Sequence, residues 1–315
     1  MGARQGFQQV VDSRIKGLQI ALPAGPGVPA TATLKTPYGA GRYGFVSQIE
    51  EDPSKVVKLG VNPRMVDEWE AELVGQIARG ERSPMSPLQI RDEAVANARW
   101  EMREAFRGQV AGARHLDSPP RAAGDRVPYK RLHGGRTDGD PPFLIMDRLQ
   151  TEPVTRPDGT TYREYPLSGK LDGDEQDAVL GVYQNLARQR LGWADGHLDN
   201  LYGIEAGGKK GAGILDTDRL GRIDGPELEP WKRQIAENPV ANRVLSLEDP
   251  ARATSAAERR AMIARNRARL DDPEVFAAKM LEYKGYLAYD RASGRWVELK
   301  IDPARAARFL PLRAD

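Results

Sequence analysis

Three glycines in Gly39-Ala-Gly41-Arg-Tyr-Gly44-Phe-Val46 constrain this chain more than any other feature. A GxGxxG run lets backbone N–H groups approach phosphate oxygens, because no Cβ stands in the way. In a dinucleotide-binding fold such a run lies between a strand and a helix. Here it leads into Phe45, Val46 and Ile49, then an Asp52-Pro53 turn, then Val56, Val57 and Leu59. That pattern predicts two antiparallel strands and makes the glycines part of a hairpin. Two readings stay open: a hairpin that covers phosphates, and an ordinary tight hairpin.

Composition removes several other chemistries. The chain has 315 residues, with 47 Lys+Arg against 45 Asp+Glu, a net charge of +2. It is long enough for one large domain or two modest ones. Nucleic-acid binding driven by bulk charge is not indicated. The absence of Cys excludes disulfides and thiolate chemistry, and His115, His133 and His197 are too few for a multi-histidine metal site. No apolar run approaches the roughly 18 to 20 residues of a membrane helix. The amino terminus carries no signal-peptide pattern and lacks the Ser or Thr of a myristoylation motif. The expectation is a cytoplasmic protein, or one secreted without a cleaved signal peptide into a target cell.

Along the chain, residues 1–35 read as an arm or linker ending in a Pro/Gly/Ala stretch. Met65, Trp69, Leu73 and Ile77 fall at helical spacing within 64–79, and a second helix is expected over about 87–107. Residues 108–142 read as long loops around one strand near 127–132. A buried strand is expected at Phe143 to Met146. A helix over 174–191 precedes a loop at 192–200 and strands at 201–204 and 213–215. Helices follow from about 228, among them a basic one at 259–270 and another over 274–287, and a hairpin is expected over 286–301.

Three further segments carry chemistry. Lys58 lies in the apolar run Val56-Val57-Lys58-Leu59, where burial is costly unless an anion meets it. The plain alternative is a solvated strand-edge lysine. Gly192-Trp-Ala-Asp195-Gly-His197-Leu-Asp199-Asn200 packs two carboxylates, an imidazole and an amide into one loop. A carboxylate there could accept a hydroxyl proton and an amide oxygen could ligate Mg²⁺. A self-capped Asp/Asn turn is the alternative. Ile214-Leu215-Asp216-Thr217-Asp218 places two acids directly after a short strand, which reads as a divalent-cation site or as a polar strand end.

In this order the four segments resemble the protein-kinase-like superfamily, over roughly residues 36–235. Gly39 to Val46 reads as GxGxxGxV. Asp195 and Asn200 keep the D-x-x-x-x-N interval, and Asp216 stands where family members carry Asp-Phe-Gly. The resemblance implies an α+β, bilobal protein-kinase-like fold with a small antiparallel-sheet N-lobe and a mainly helical C-lobe. Its N-lobe would span 36–149 with an insertion at about 85–142, and its C-lobe would span 150–315.

The resemblance also implies roles. Amides of Gly39, Gly41 and Gly44, beside Val46, would cover ATP phosphates, and Lys58 would neutralise them while held by Glu70. Glu68 and Glu72 are alternatives to Glu70. Met146 would be the gatekeeper, and Asp147 and Leu149 would hold adenine through their backbone. Asp195 would orient or deprotonate the acceptor hydroxyl. Asn200 and Asp216, with Asp218 as a further ligand, would bind Mg²⁺, or Mn²⁺ in its place. Trp193-Ala194 departs from the usual His-Arg or His-Gly before the aspartate. His197 matches aminoglycoside and choline kinases better than protein kinases.

The expected activity is ATP·Mg²⁺-dependent transfer to Ser/Thr hydroxyls of a protein, as in a divergent bacterial effector or toxin kinase. The alternatives are a small-molecule kinase of the aminoglycoside or choline type, and a pseudokinase or AMP transferase. The last 65 residues count 14 Lys/Arg against 9 Asp/Glu, a net of +5. This excess fits an acidic partner, or else a solvated helix face.

Overall fold

The computed structural model describes residues 19–21, 31–35, 37, 39–41, 43–60, 62–120, 122–139, 141–238, 247–290 and 292–312. Both helices and antiparallel sheets are present, so the class is α+β. The chain divides into two compact units, Met1–Arg107 with Arg131–Arg148, and Gly108–Lys130 with Leu149–Asp315. Among the described residues, no helix is long and apolar enough to cross a membrane.

Among the described residues, the first unit contains strands β1 (Gln19–Ala21), β2 (Thr31–Thr33), β3 (Gly39–Gly41), β4 (Gly44–Gln48), β5 (Lys55–Leu59), β6 (Leu132–Arg136) and β7 (Phe143–Asp147). The last five form an antiparallel sheet in the order β3-β4-β5-β7-β6. Strand alternation gives this sheet two distinct faces. Phe45, Leu59 and Phe143 are cross-strand partners, as are Val57 and Ile145, and all five are buried with Ala32, Leu34 and Ile49 in one core cluster. The opposite face carries the row Gly39, Val46, Lys58 and Leu144.

Among the described residues, two helices belong largely to this unit. Helix α1 (Pro63–Ala78) starts at Asn62, whose side-chain oxygen accepts the Arg64 N–H at 3.1 Å, with Pro63 in the first turn where its missing N–H costs nothing. Helix α2 (Pro87–Asp117) packs Ala98 and Met102 against Met65 and Trp69 of α1. The Trp69 indole donates to Glu101 across this contact at 3.0 Å.

The sequence reading fails at two places in this part of the chain. Residues 31–34 are not loose linker: β2 pairs with β1, and Ala32 and Leu34 are fully buried. The expected loop after 107 begins with ten more residues of α2, and the strand falls at 132–136 instead of 127–132. Gly108 and Gly112 weaken helix propensity, but a Cβ at either would stand within 2.3 Å of the 217–218 segment, so they allow a close approach to it.

The second unit contains β8 (Val154–Thr155), β9 (Thr161–Pro166), β10 (Leu191–Trp193), β11 (Leu201–Ala206), β12 (Lys209–Ile214), β13 (Leu220–Arg222), β14 (Leu287–Asp290) and β15 (Arg295–Glu298). One antiparallel sheet runs β12-β11-β9-β8, β10 pairs with β13, and β14 with β15 makes the expected hairpin. Its helices are α3 (Gly173–Arg188), α4 (Glu229–Glu237), α5 (Ala256–Arg269), α6 (Pro273–Tyr283) and α7 (Pro303–Phe309). Helix α3 opens with a capping box in which Asp172 and Glu175 satisfy each other's backbone N–H groups. Its buried face, Val179, Leu180, Tyr183 and Leu186, joins Trp193, Ile214, Phe276 and Leu281 in the main core. Each such side chain contributes roughly 1.5–3 kcal/mol on burial.

The basic helix expected at 259–270 is α5, and two of its arginines are paired. Arg265 meets Glu248 at 2.6 Å and Arg267 meets Glu229. Both acids precede the last 65 residues, so part of the net positive charge counted there is neutralised within the unit.

Candidate active site

In the first unit, the residues named from the glycine hairpin onward fall along one row of the sheet. Gly39 stands opposite Val46, Val46 opposite Lys58, and Lys58 opposite Leu144. Met146 lies two residues from Leu144 and therefore points to the same face, while Asp147 points to the other. At the hairpin turn Gly41 pairs with Gly44. A Cβ on Gly44 would stand 1.9 Å from the Leu59 carbonyl oxygen, so this position excludes any side chain for a steric reason.

The Lys58 ammonium lies 5.6 Å from the Phe106 ring centroid on α2. Glu70 lies 2.9 Å from Arg91, which also meets Asp67 at 3.3 Å, so the carboxylate expected to hold Lys58 is engaged by a guanidinium of α2. Glu72 lies 3.3 Å from Arg79. The Asp147 carboxylate accepts from His133 at 2.5 Å, and the Arg148 N–H donates to the Ser54 carbonyl at 2.9 Å, fixing the end of β7 just before Leu149.

In the second unit, the 192–200 loop leaves a pinned strand end. Trp193 is buried and its indole N–H donates to the Asp218 carbonyl at 3.2 Å, while the Ala194 N–H donates to the Arg219 carbonyl at 3.0 Å. An imidazole could not reproduce this contact and fill the same volume, which accounts locally for tryptophan at 193. Two buried phenols then hold the loop from below. Tyr183 and Tyr286 both donate to the Gly196 carbonyl, Tyr286 at 3.0 Å, and their rings meet edge to face at 6.0 Å. Burial pushes both phenols above the ordinary tyrosine value. A Cβ at 196 would stand 2.3 Å from the Tyr183 oxygen, so glycine is required there by this contact.

Asp195 and Asn200 are brought together directly. The Asn200 amide nitrogen donates to the Asp195 carbonyl and to Asp195 Oδ2, both at 2.9 Å, and lies 3.2 Å from His197 Nε2. The Lys284 ammonium approaches the other carboxylate oxygen, Oδ1, at 3.3 Å. The ladder carries the arrangement to the acidic segment: Leu201 pairs with Ile214, and the Leu215 N–H donates to the Asn200 carbonyl at 2.8 Å. Asp216 is the next residue.

Helix α2 clamps that segment. Thr217 donates its hydroxyl to the Gln109 carbonyl at 2.7 Å. A Cβ on Gly112 would stand 2.0 Å from the Thr217 carbonyl oxygen, and one on Gly108 2.3 Å from Asp218 Oδ1. Asp216 Oδ1 accepts the Asp218 N–H at 3.0 Å, and Asp218 Oδ1 accepts the Arg219 N–H at 2.9 Å. Arg219 has φ +57°, a left-handed conformation that non-glycine residues seldom adopt. The Asp218 carboxylate is buried and turned toward Arg219 and Gly108, whereas Asp216 is half-buried.

Two donors, one in this loop and one on the segment paired with it, suit Mg²⁺ in kind. Asp216 offers carboxylate oxygen, and the Asn200 amide, with its nitrogen spent on Asp195, presents its carbonyl oxygen as acceptor. Among the described residues no three His, Asp or Glu side chains form a ready metal cluster. An ion on Asn200 and Asp216 would therefore complete its shell with ligands such as phosphate oxygens, as Mg²⁺ commonly does.

Several of these residues escaped the sequence reading. Lys284, Tyr286, Gln109, Gly108 and Gly112 lie between 89 and 110 positions from the loop residues they touch, and no local pattern announces such pairings. Tyr183 was legible only as part of a helix's apolar face.

No protein-family model matches the chain, and no curated protein matches it. Among solved structures, the complex of Rv3197 with erythromycin from Mycobacterium tuberculosis is a distant neighbour. It is 15% identical, with 87% of this chain and 82% of that chain covered, at a TM-score of 0.36. A likeness of that size carries no argument about fold family or ligand.

Proposed function

We propose that the protein is an ATP·Mg²⁺-dependent phosphotransferase of the protein-kinase-like type, acting on a hydroxyl of a protein. The observation that carries this reading is the joined loop of the second unit. The Asn200 side-chain amide nitrogen fixes Asp195 through two hydrogen bonds of 2.9 Å, and the Asn200 backbone carbonyl accepts from Leu215, the residue before Asp216, at 2.8 Å. A self-capped turn needs no such link to a second acidic segment. Asp195 and Asn200, residue types that phosphoryl transfer uses, are thereby joined side chain to side chain, and the backbone of Asn200 is tied to the strand end that carries Asp216.

In the proposed reaction the Asp195 carboxylate accepts the proton of the acceptor hydroxyl. The hydroxyl oxygen bonds to the γ-phosphorus as the bond to the bridging oxygen breaks, and ADP leaves with that electron pair. Asn200 and Asp216 would hold Mg²⁺, which would neutralise charge on the phosphates. Asp218 would support Asp216 by ordering the turn through its backbone N–H. Lys58, Gly39, Gly41 and Gly44 would engage the phosphates, and Met146, Asp147 and Leu149 the adenine. The steric exclusion at Gly44 and the shared face of Val46, Lys58 and Met146 support those roles. Catalysis would come from positioning and charge neutralisation, without a covalent intermediate.

A small hydroxylated molecule is the second acceptor reading. It is favoured by His197, whose ring nitrogen lies 3.2 Å from the Asn200 amide, and by the Arg265 and Arg267 ion pairs, which weaken the charge argument for an acidic protein partner.

The test is incubation of purified protein with γ-labelled ATP and Mg²⁺, alone and with a bacterial or eukaryotic lysate, beside Asp195→Ala. Labelled protein bands absent from the variant are expected. ADP release without labelled protein would move the acceptor to a small molecule. Equal labelling by wild type and Asp195→Ala would refute the role of Asp195.

A further inference from the structure

We infer that Lys284 is a positioning residue for the transfer reaction, reaching Asp195 from the end of a helix 89 residues further along the chain. The inference deepens the transferase reading and rests on it.

Lys284 is the residue that ends α6, and its side chain is only 12% exposed. Lysines at helix ends commonly extend their ammonium into water, even where the stem is covered. This one turns inward. Its nitrogen lies 3.3 Å from Asp195 Oδ1 and 5.7 Å from the ring centroids of both Trp231 and Tyr283. Those two rings brace each other edge to face at 6.4 Å, and Tyr283 is tied to Gln234 of α4 at 3.2 Å. The Arg219 guanidinium covers the Trp231 ring at 4.7 Å. The ammonium thus sits against aromatic faces that favour a cation and is aimed at a carboxylate.

What that does to Asp195 follows from the count of its contacts. Asn200 takes Oδ2 at 2.9 Å and Lys284 approaches Oδ1 at 3.3 Å, so the carboxylate plane is fixed at both ends. A long, charge-assisted contact on Oδ1 leaves that oxygen able to accept a second hydrogen bond, the one an acceptor hydroxyl would bring. Misplacing a reacting group by about 1 Å can cost on the order of 10²-fold in rate. A fixed cation beside the acceptor also lies where the reaction moves negative charge. A merely structural lysine, paired with the helix C-terminus, would have no need of Asp195.

The experiment compares wild type, Lys284→Met, Lys284→Arg and Asp195→Ala. It measures label transfer from γ-labelled ATP·Mg²⁺ into lysate protein, ADP release, ATP affinity by calorimetry and the thermal midpoint. Lys284→Met keeps the buried stem and should lower kcat by about 10²-fold with ATP affinity unchanged within about twofold. Lys284→Arg should recover most of that loss, because charge and reach are restored. Turnover by Lys284→Met within about threefold of wild type, while Asp195→Ala is inactive, would overturn the role of Lys284 and leave the transferase reading standing. Loss of ATP affinity and thermal midpoint in both Lys284 variants would reduce it to a structural lysine. No turnover by the wild type would refute the transferase reading, and the role of Lys284 with it.

Discussion

Adding one methyl group to helix α2 tests whether its contact with the 216–219 segment is as tight as the structure requires. In Gly112→Ala the new Cβ would stand 2.0 Å from the Thr217 carbonyl oxygen, 3.0 Å from its carbonyl carbon and 3.1 Å from its Cβ. Ordinary contact begins near 3.4 Å, so about 1.4 Å must be opened, and the obstacle is backbone. Overpacking of this kind costs roughly 1–3 kcal/mol, while Gly→Ala in a helix returns roughly 1 kcal/mol of propensity. The net expectation is destabilisation of about 0–2 kcal/mol, toward the upper end because the obstacle is backbone rather than a side chain that can turn away.

Gly181→Ala in α3 is the matched control, since its Cβ would meet nothing within 4 Å. Only the propensity term acts there, so a gain of roughly 0.5–1 kcal/mol is expected. Thermal midpoints should therefore move in opposite directions, by a few degrees each for a unit of this size. Gly112→Ala should in addition weaken Mg²⁺-dependent ATP binding, because Thr217 cannot shift without Asp216 following. Equal stability of the two variants, or a stabilised Gly112→Ala, would refute the close helix approach and the reason given for α2 continuing past residue 107.

The remaining predictions concern buried ionisable groups. Burial is the main cause that raises three phenols: Tyr165, with a hydrogen bond to Glu175 contributing, is pushed up to about 12, and Tyr183 and Tyr286 are also raised. A group whose folded value exceeds its unfolded value stabilises the fold below the unfolded value, about 10 for tyrosine, and loses that contribution as pH rises through the folded value. Stability should therefore fall above about pH 10, and the buried phenols of Tyr183 and Tyr286 should form phenolate, followed by ultraviolet absorbance, only with unfolding; free titration of all ten tyrosines in the folded protein would contradict the core around Gly196. In the second unit, Glu164 accepts from buried Lys130 and from the Gln150 N–H at 2.7 Å, with the Tyr202 ring 4.7 Å from the ammonium. Glu164→Gln should cost roughly 3–5 kcal/mol by leaving a buried charge without its counter-ion, and adding Lys130→Met should recover part of it in denaturant unfolding. A double variant no more stable than Glu164→Gln would show that the pair is not coupled.

What could be read from the sequence alone followed the range of the interactions. The glycine hairpin, the Lys58 strand and the Asp195–Asn200 interval are local patterns, and strand alternation and turn chemistry are enough to place them on elements. The α2 extension was missed because Gly108 and Gly112 count against a helix until the Thr217 carbonyl that presses on them is known. Residues 31–34 read as linker because Ala32 and Leu34 are too few to signal a strand, yet a bridge from Leu34 to Ile49 buries them. Glu70 is matched to Lys58 only through the family resemblance, which carries no information about Arg91 on the next helix. Lys284 carries no motif at all, and only the packing of α6 against β10 and the loop after it brings it to Asp195.

Calorimetric titration of ATP, with and without Mg²⁺, into wild type, Asp195→Ala and Asp216→Ala tests the central claim most directly. The transferase account predicts Mg²⁺-dependent binding by wild type, nearly the same binding by Asp195→Ala, and loss of the Mg²⁺ dependence in Asp216→Ala. Absence of ATP binding by the wild type, or Mg²⁺-dependent binding that survives intact in Asp216→Ala, would contradict it.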